Sequence, residues 1–382
     1  MMFVALKMLV GDRLKYLGLV VGLAFAAMLI TQQASILVGL AHQTGSFVRD
    51  TSQADLWVMD PEVRFSQDSL ALQDTVLQRV RGVAGVEWAV PMYQGFLRAK
   101  LPDGSQQLCI LVGLDDATLM GGPPTMVQGR LADLRQNAGI LIDEDARKTK
   151  MRMRRGGDRG LEVGDRLTIN DQDARVVGTY RASKSFFWEP VVYTTYTRAL
   201  RYAPRERKLL TYVMVKLRPG ADAAGVAAEI EQATSLKART NEQFAEITAN
   251  YILKETGILV NFGLAVGLGF VIGALVAGQM LYNFTLDNIR HFGALKAMGA
   301  GNGTLVAMVA VQSLTVGALG YGVGIGMGSL LGKIVGDAGL AFRMPWQIPV
   351  FSAGAILLMC LLAGVLSSVR VLRQEAAVVF RG

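Results

Sequence analysis

Side chains able to make or break bonds are few and scattered in this chain. It has two histidines, His42 and His291, and two cysteines, Cys109 and Cys360. Zinc requires several such ligands in a cluster, and the sequence contains none. Cys109 lies in a strand-like stretch and Cys360 in an apolar run, so the pair defines no disulfide framework. No G-x-x-x-x-G-K-[ST] loop is present to cradle a nucleotide phosphate, and there is no G-x-S-x-G elbow and no H-E-x-x-H pair. Asp143-Glu144-Asp145 lacks the ligand spacing of a calcium loop and reads as charge balance for the basic run at residues 147–159, RKTKMRMRRGGDR. That run suits either a solvated loop or a contact with anionic headgroups or an acidic surface. The expectation is a chain with no catalytic residue, no bound cofactor and no metal.

The surrounding elements are those of a membrane protein. The chain has 382 residues, a mean hydropathy of +0.33 and 18% charged residues, against about 25% in ordinary soluble domains. Its net charge of +8 gathers at the flanks of apolar runs and in one loop, which argues against a nucleic-acid partner. Uncharged stretches cover residues 16–48, 256–286, 304–332 and 344–369, and each is long enough for the roughly 20 residues that cross about 30 Å of hydrocarbon. The layout is a cytoplasmic N-terminus (1–15), a first transmembrane helix with an outer extension (16–48), a folded domain (49–255) and a second helix (256–286). A loop (287–303), a third helix (304–332), an outer loop (333–343), a fourth helix (344–369) and a tail (370–382) follow. Lys7, Arg13 and Lys15, then Arg290 and Lys296, then Arg370, Arg373 and Arg381 place both termini and the central loop on the cytoplasmic side. No ionisable residue is firmly embedded in a span, which argues against a proton- or ion-driven carrier. Thr31-Gln32-Gln33 follows the apolar heart of the first span, where its amides face other helices or the outer interface, or contact a substrate.

Residues 49–255 carry a globular pattern. DLWVMDP (55–61) reads as a strand ending in a turn, and Leu70, Leu72, Val76, Leu77 and Val80 give residues 69–83 a helical stripe. A long strand precedes Asp103-Gly104, which turns into a second strand over residues 107–113. Residues 139–196 are β-rich, with strands at 164–169, 174–180 and 190–196. A strand at 211–217, a helix at 221–234 and a strand at 235–239 finish the domain. Two βαβ-like halves thus bracket an all-β insert. The fold class is an α-helical membrane protein with four transmembrane helices plus a large α+β extracytoplasmic domain between the first and second helices.

Two features of the membrane half stand out. Gly263 and Gly267 in the second span, and Gly320, Gly324 and Gly328 in the third, recur at four-residue spacing, which lets helix backbones approach closely, either within the chain or at a dimer seam. Between these spans, Ile289, Phe292, Leu295 and Met298 form an apolar stripe with Arg290 and Lys296 off it, and Gly299, Gly301 and Gly303 close the segment.

The phrase Arg290-His291-Phe292-Gly293-Ala294-Leu295-Lys296-Ala297-Met298-Gly299-Ala300 resembles the R-E-x-G-x-L-[KR]-A-[LM]-G-A loop of FtsX-like, MacB-type ABC transporter permeases. His291 stands at the usual Glu position and cannot offer a carboxylate to a facing cation. The strand DLWVMDP, the GV-x-x-x-x-P phrase at residues 85–91 and the early first span look like the DevC group, whose permeases carry no fused ATPase. The tail LRQEAAVVFR is similar to the family's L-R-x-x-P-A-x-A-L-R, with Ala376 replacing Pro. The resemblance implies a MacB-like periplasmic domain and a coupling helix, Ile289 to Ala300, that docks in a separate cytoplasmic ATPase holding ATP and magnesium. It further implies a homodimer in the bacterial inner membrane, in contact with membrane lipid. Its periplasmic domains would drive efflux by mechanotransmission through a membrane-fusion adaptor and an outer-membrane channel. An FtsX-like signal transmitter that activates a cell-wall hydrolase, and a lipoprotein-releasing permease, are the alternatives that the same resemblance allows.

Overall fold

Four helices of this chain are long and apolar enough to cross a membrane, and an α+β body lies in sequence between the first and second of them. The computed structural model describes residues 2–51, 53–154, 159–183, 186, 189–204, 210–337 and 340–372. It forms two units, Met1–Leu40 with Thr256–Gly382, and Ala41–Glu255.

Along the chain, α1 (Met2–Gly11), α2 (Arg13–Thr44) and α3 (Ser46–Asp50) precede β1 (Leu56–Met59), α4 (Thr75–Arg81), β2 (Val86–Lys100), β3 (Gln106–Leu114) and β4 (Thr125–Gln128). Next come β5 (Gly139–Asp143), α5 (Glu144–Lys148), β6 (Arg152–Met153), β7 (Arg159–Gly160), β8 (Arg166–Ile169), β9 (Gln172–Arg181), β10 (Val191–Thr195) and α6 (Tyr196–Tyr202). Then β11 (Tyr212–Leu217), α7 (Ala223–Thr234), β12 (Lys237–Thr240) and α8 (Asn241–Glu255) complete the α+β unit. The helical unit resumes with α9 (Ile258–Asp287), α10 (Ile289–Ala297), α11 (Asn302–Asp337) and α12 (Gln347–Leu372).

In the α+β unit, β1 pairs antiparallel with both β11 and β12, and β11 pairs antiparallel with β2. The sheet order β12-β1-β11-β2 therefore interleaves two split βαβ units, β1-α4-β2 and β11-α7-β12. Both faces of β1 are covered, which is why its sequence is continuously apolar. Leu56 and Val58 join a core with Val76, Val80, Val226 and Ile230 of α4 and α7, while Trp57 packs with Tyr212 and Phe244 on the opposite face. Trp57 Nε1 donates to Asn241 Oδ1 at 2.7 Å, so the buried indole leaves no polar atom unpaired.

β2 continues out of that sheet into the insert. Its second half pairs with β3, β3 with β10, β10 with β5, β5 with β9, β9 with β8, and β8 back to β2 through Ala99↔Ile169. The ring is closed by this short pairing, and β4 is added to β9 as an edge strand. One face of every strand in it, Leu97, Leu111, Ile140, Leu167, Val176 and Val192 among them, feeds a single buried cluster. The insert is not all-β: α5, α6 and a 3-10 turn at Leu131–Arg135 lie within it, and Ala199 and Tyr202 of α6 help fill the cluster. The expected helix at residues 69–83 begins only at Thr75. Leu72 N instead donates to Leu210 O at 2.6 Å, which holds the chain extended just before the helix.

The core of the helical unit joins Leu23, Ala27 and Ile30 of α2, Leu281 and Phe284 of α9, Met308 and Val309 of α11, and Met359 and Cys360 of α12. Several polar side chains in the bundle are hydrogen-bonded across it. Thr31 Oγ1 donates to Ser352 Oγ at 2.8 Å, Tyr321 Oη donates to Pro349 O at 2.9 Å, and the Thr285 and Ser367 hydroxyls are bonded to each other. α11 runs on through Lys333 to Asp337, past the expected end of the third span, because a lysine near a helix end can lay its stem along the helix and keep its charge in water.

Candidate functional site

The segment joining α9 to α11 is built by local hydrogen bonding. Asn288 Nδ2 donates to Phe284 O at 2.9 Å, and Asn288 O accepts from His291 N and Phe292 N, which turns the chain from α9 into α10. α10 ends in a Schellman motif: Ala300 N donates to Leu295 O at 3.0 Å and Gly299 N to Lys296 O at 3.1 Å. Gly299 has φ +94°, a conformation that disfavours any side chain, whereas Gly301 and Gly303 are not in the left-handed region.

The apolar stripe of α10 does not face outward as a unit. Phe292 is 1% exposed and, with Leu295, packs into the helical core beside Ala5 and Leu9 of α1 and Val371 of α12. Ile289, Ala294, Lys296 and Ala300 are half-buried and Gly293 is buried. What α10 shows to its surroundings is Arg290, His291, Ala297, Met298 and Gly299, with Met298 74% exposed. The reason is energetic. A short helix at the end of a bundle buries its stripe against the nearest apolar surface, here its own chain, and the remaining face stays exposed.

Polar ties fix the surroundings of α10. Lys15 Nζ, at the start of α2, lies 2.5 Å from Asp287 Oδ2 at the end of α9 and 3.0 Å from Asp12 Oδ2. Lys296 Nζ donates to Leu372 O at 3.4 Å, at the end of α12, where a cation meets the negative pole of that helix. Gln312 Nε2 of α11 donates to Ala5 O at 2.9 Å and holds α1 against the bundle. Residues 1–15, expected from sequence as a cytoplasmic flank, carry the helix α1. The signal for α1 lies in Ala5, Met8 and Leu9, at helical spacing around Lys7.

Of the ladder glycines, Gly320, Gly324 and Gly328 lie against α2 of the same chain. A Cβ at Gly320 would stand 2.7 Å from Leu23 Cβ, and one at Gly324 would overlap Ala24 O and reach 2.6 Å from Ala27 Cβ. At Gly328 the nearest neighbour, Met28 O, is 3.7 Å away. Gly263 and Gly267 have open space around their Cβ positions. Gly273 is the α9 glycine in close packing, 2.6 Å from Ala26 Cβ.

The basic run at residues 147–159 is largely folded into the α+β unit, and its residues 155–158 lie outside the described residues, as do Arg373 and Arg381 of the tail. Asp143 caps α5 by accepting from Asp145 N and Ala146 N. Glu144, buried, receives both arms of Arg147 at 2.7 Å and Lys148 Nζ at 2.8 Å. Arg147 and these neighbours hold its carboxyl down at about 2. Burial pushes the Cys109 thiol up to about 12, which leaves it unreactive. Among the described residues no group of three or more His, Cys, Asp or Glu side chains is placed to hold a metal.

Comparisons with known proteins bear on both units. The family model for the MacB-like periplasmic core domain matches residues 16–233, and that for the FtsX-like permease C-terminal region matches residues 249–376. An uncharacterized ABC transporter permease of Methanocaldococcus jannaschii is 26% identical over 224 residues, 55% of this chain and 54% of that one, so the chain spans about half the length of that relative. An uncharacterized ABC transporter permease of Mycobacterium tuberculosis is 21% identical over 317 residues, covering 81% of this chain and 78% of its own. Among solved structures, the periplasmic region of MacB from Actinobacillus actinomycetemcomitans superposes with a TM-score of 0.37 at 14% identity, covering 51% of this chain and 92% of that one.

Proposed function

This chain belongs to the FtsX-like ABC transporter permeases with a MacB-like periplasmic core domain, and from that membership we propose that it is the membrane subunit of an export system powered by a separate cytoplasmic ATPase. The ATPase docks on the outward face of α10, around Arg290, His291 and Met298, and holds the ATP and magnesium. Its closing motion pushes α10, and Phe292 and Leu295 pass the push to the bundle. The assembly is a homodimer in a bacterial inner membrane, of the DevC kind. Its periplasmic domains drive substrate into a membrane-fusion adaptor and an outer-membrane channel. One observation carries the reading: α10 is rooted in the bundle by Phe292 and Leu295 while Arg290, His291 and Met298 stay exposed. A helix so built can transmit force, since the side that receives a partner is distinct from the side that grips the membrane helices.

The test is affinity purification of the full chain from native membranes with Arg290→Glu and Met298→Asp. Both variants are expected to insert normally and to lose the co-purifying ATPase. Retention of the ATPase at wild-type levels by both would refute docking on this face. Identifying the other proteins in the wild-type eluate separates export, marked by an adaptor, from signalling to a cell-wall hydrolase.

A further inference from the structure

Where β2 passes from the split βαβ sheet into the closed ring, the α+β unit holds a cavity of about 500 Å³, a volume within the usual range for small-molecule sites. One wall is the segment between β1 and α4 around Gln67 and Leu70, and the other is β2 from Tyr93 to Phe96. The backbone at this bend is fixed. Gln94 N donates to Thr211 Oγ1 at 3.1 Å, and Thr211 Oγ1 donates back to Gln94 O at 3.3 Å.

The side chain of Gln94 is a different matter. It is 2% exposed, yet neither its Oε1 nor its Nε2 has a hydrogen-bond partner among the described residues. Buried carboxamides are normally paired, because an unpaired one is costly to desolvate. Beside it, Gln67 Oε1 accepts from Ser66 Oγ at 2.8 Å. Among the described lining residues the one carboxylate, Asp68, is paired with Arg64 Nε at 3.0 Å. Among the described residues the lining therefore offers no unbalanced charge. Just behind its surface it holds a donor and acceptor pair in one buried carboxamide, next to an aromatic ring, Phe96, that is 41% exposed. A carboxamide with both ends vacant is the complement of another amide.

We infer that this cavity binds an uncharged, amide-bearing ligand with an aromatic or aliphatic group, the Gln94 carboxamide turning to pair with the ligand's amide while Phe96 covers the apolar part. This site lies in the α+β unit and does not rest on the docking role given to α10.

Calorimetric titration of the full chain in lipid nanodiscs tests it with three probes: N-acetylphenylalanine methylamide, the matching methyl ester and the free acid. The wild type is expected to bind the methylamide with Kd at or below about 1 mM. The ester, which lacks the N–H, and the charged acid should bind at least about tenfold more weakly. Gln94→Leu should lose binding by a similar factor while raising the melting temperature, because it removes an unpaired buried amide. Phe96→Ala alters an exposed side chain, so it reads out binding independently of folding and should weaken the methylamide. The inference is overturned by absence of methylamide binding to the wild type up to about 10 mM, by equal binding of methylamide and ester, or by a Gln94→Leu protein that melts lower and binds as before.

Discussion

Glu144→Gln offers a quantitative test of how the α+β unit holds its basic segment. The wild-type carboxylate is 7% exposed and accepts two hydrogen bonds from Arg147 and one ion pair from Lys148. Arg147, the largest influence, helps to draw its pKa from 4.5 to about 2, and a depression of that size is worth about 3 kcal/mol of folded-state stability. Because the folded value lies below the unfolded one, this contribution is fully present above 4.5 and is lost as the pH falls from 4.5 towards about 2. The substitution keeps the shape, removes the charge and leaves the Arg147 guanidinium with its bond to Leu161 O but without its paired carboxylate. Hydrogen exchange of β5 and α5 in the full chain in nanodiscs, corrected for the intrinsic pH dependence of exchange, is the assay. At about pH 7 the variant should lose protection by about a hundredfold, equivalent to those 3 kcal/mol. The wild type should lose the same protection on acidification below about pH 4.5, and the variant should show no such slope. Equal acid sensitivity of the two proteins would refute the assignment of that stability to Glu144.

Further outcomes follow from the helical unit. Gly324→Ala should lower the stability of the full chain by roughly 1–3 kcal/mol through overpacking against α2, whereas Gly322→Ala, with nothing within 4 Å of its Cβ position, should be neutral or stabilising; thermal melts in one detergent compare them. Phe292→Ala should cost about 3–5 kcal/mol by emptying a core position, while Met298→Ala should leave the melt unchanged, and comparable losses in both would contradict the inward and outward faces of α10. Thr31→Val removes the hydroxyl that donates to Ser352 Oγ and should cost about 0.6 kcal/mol, a typical value for a hydrogen bond between membrane helices; a double-mutant cycle with Ser352→Ala measures it.

Local patterns were legible in the sequence where one neighbour decides the outcome. Four consecutive buried residues in β1, the turn at Asp103-Gly104 with Gly104 at φ +82°, and the periodicity of α7 all lie where composition places them. The four spans were equally plain, because solvent alone imposes their length. Long-range choices were not legible. Nothing local in Ala99 or Ile169 says that β8 returns to β2 and closes a ring. The α10 stripe announces that Phe292 and Leu295 need an apolar surface, but helical spacing is silent on whether that surface belongs to the same chain. Gly320 and Gly322 show the same limit: both sit in four-residue ladders, yet only the first meets α2. The Gln94 cavity left no trace at all, since an orphaned amide is a property of its surroundings.

The shared strand β2 has a consequence for how the molecule comes to exist. Its second half is matched by β3 immediately after a short turn, so that pairing forms early and cheaply. Its first half must wait for β11, and β1 must wait for both β11 and β12, all delivered only after the entire insert has emerged. During synthesis the ring can therefore mature while β1 stays a solitary hydrophobic ribbon, Leu56 to Met59, open to mispairing. A slowdown or truncation after β10 and before β11 would strand the nascent chain at its most aggregation-prone moment, which makes that interval the natural place for a folding helper to act.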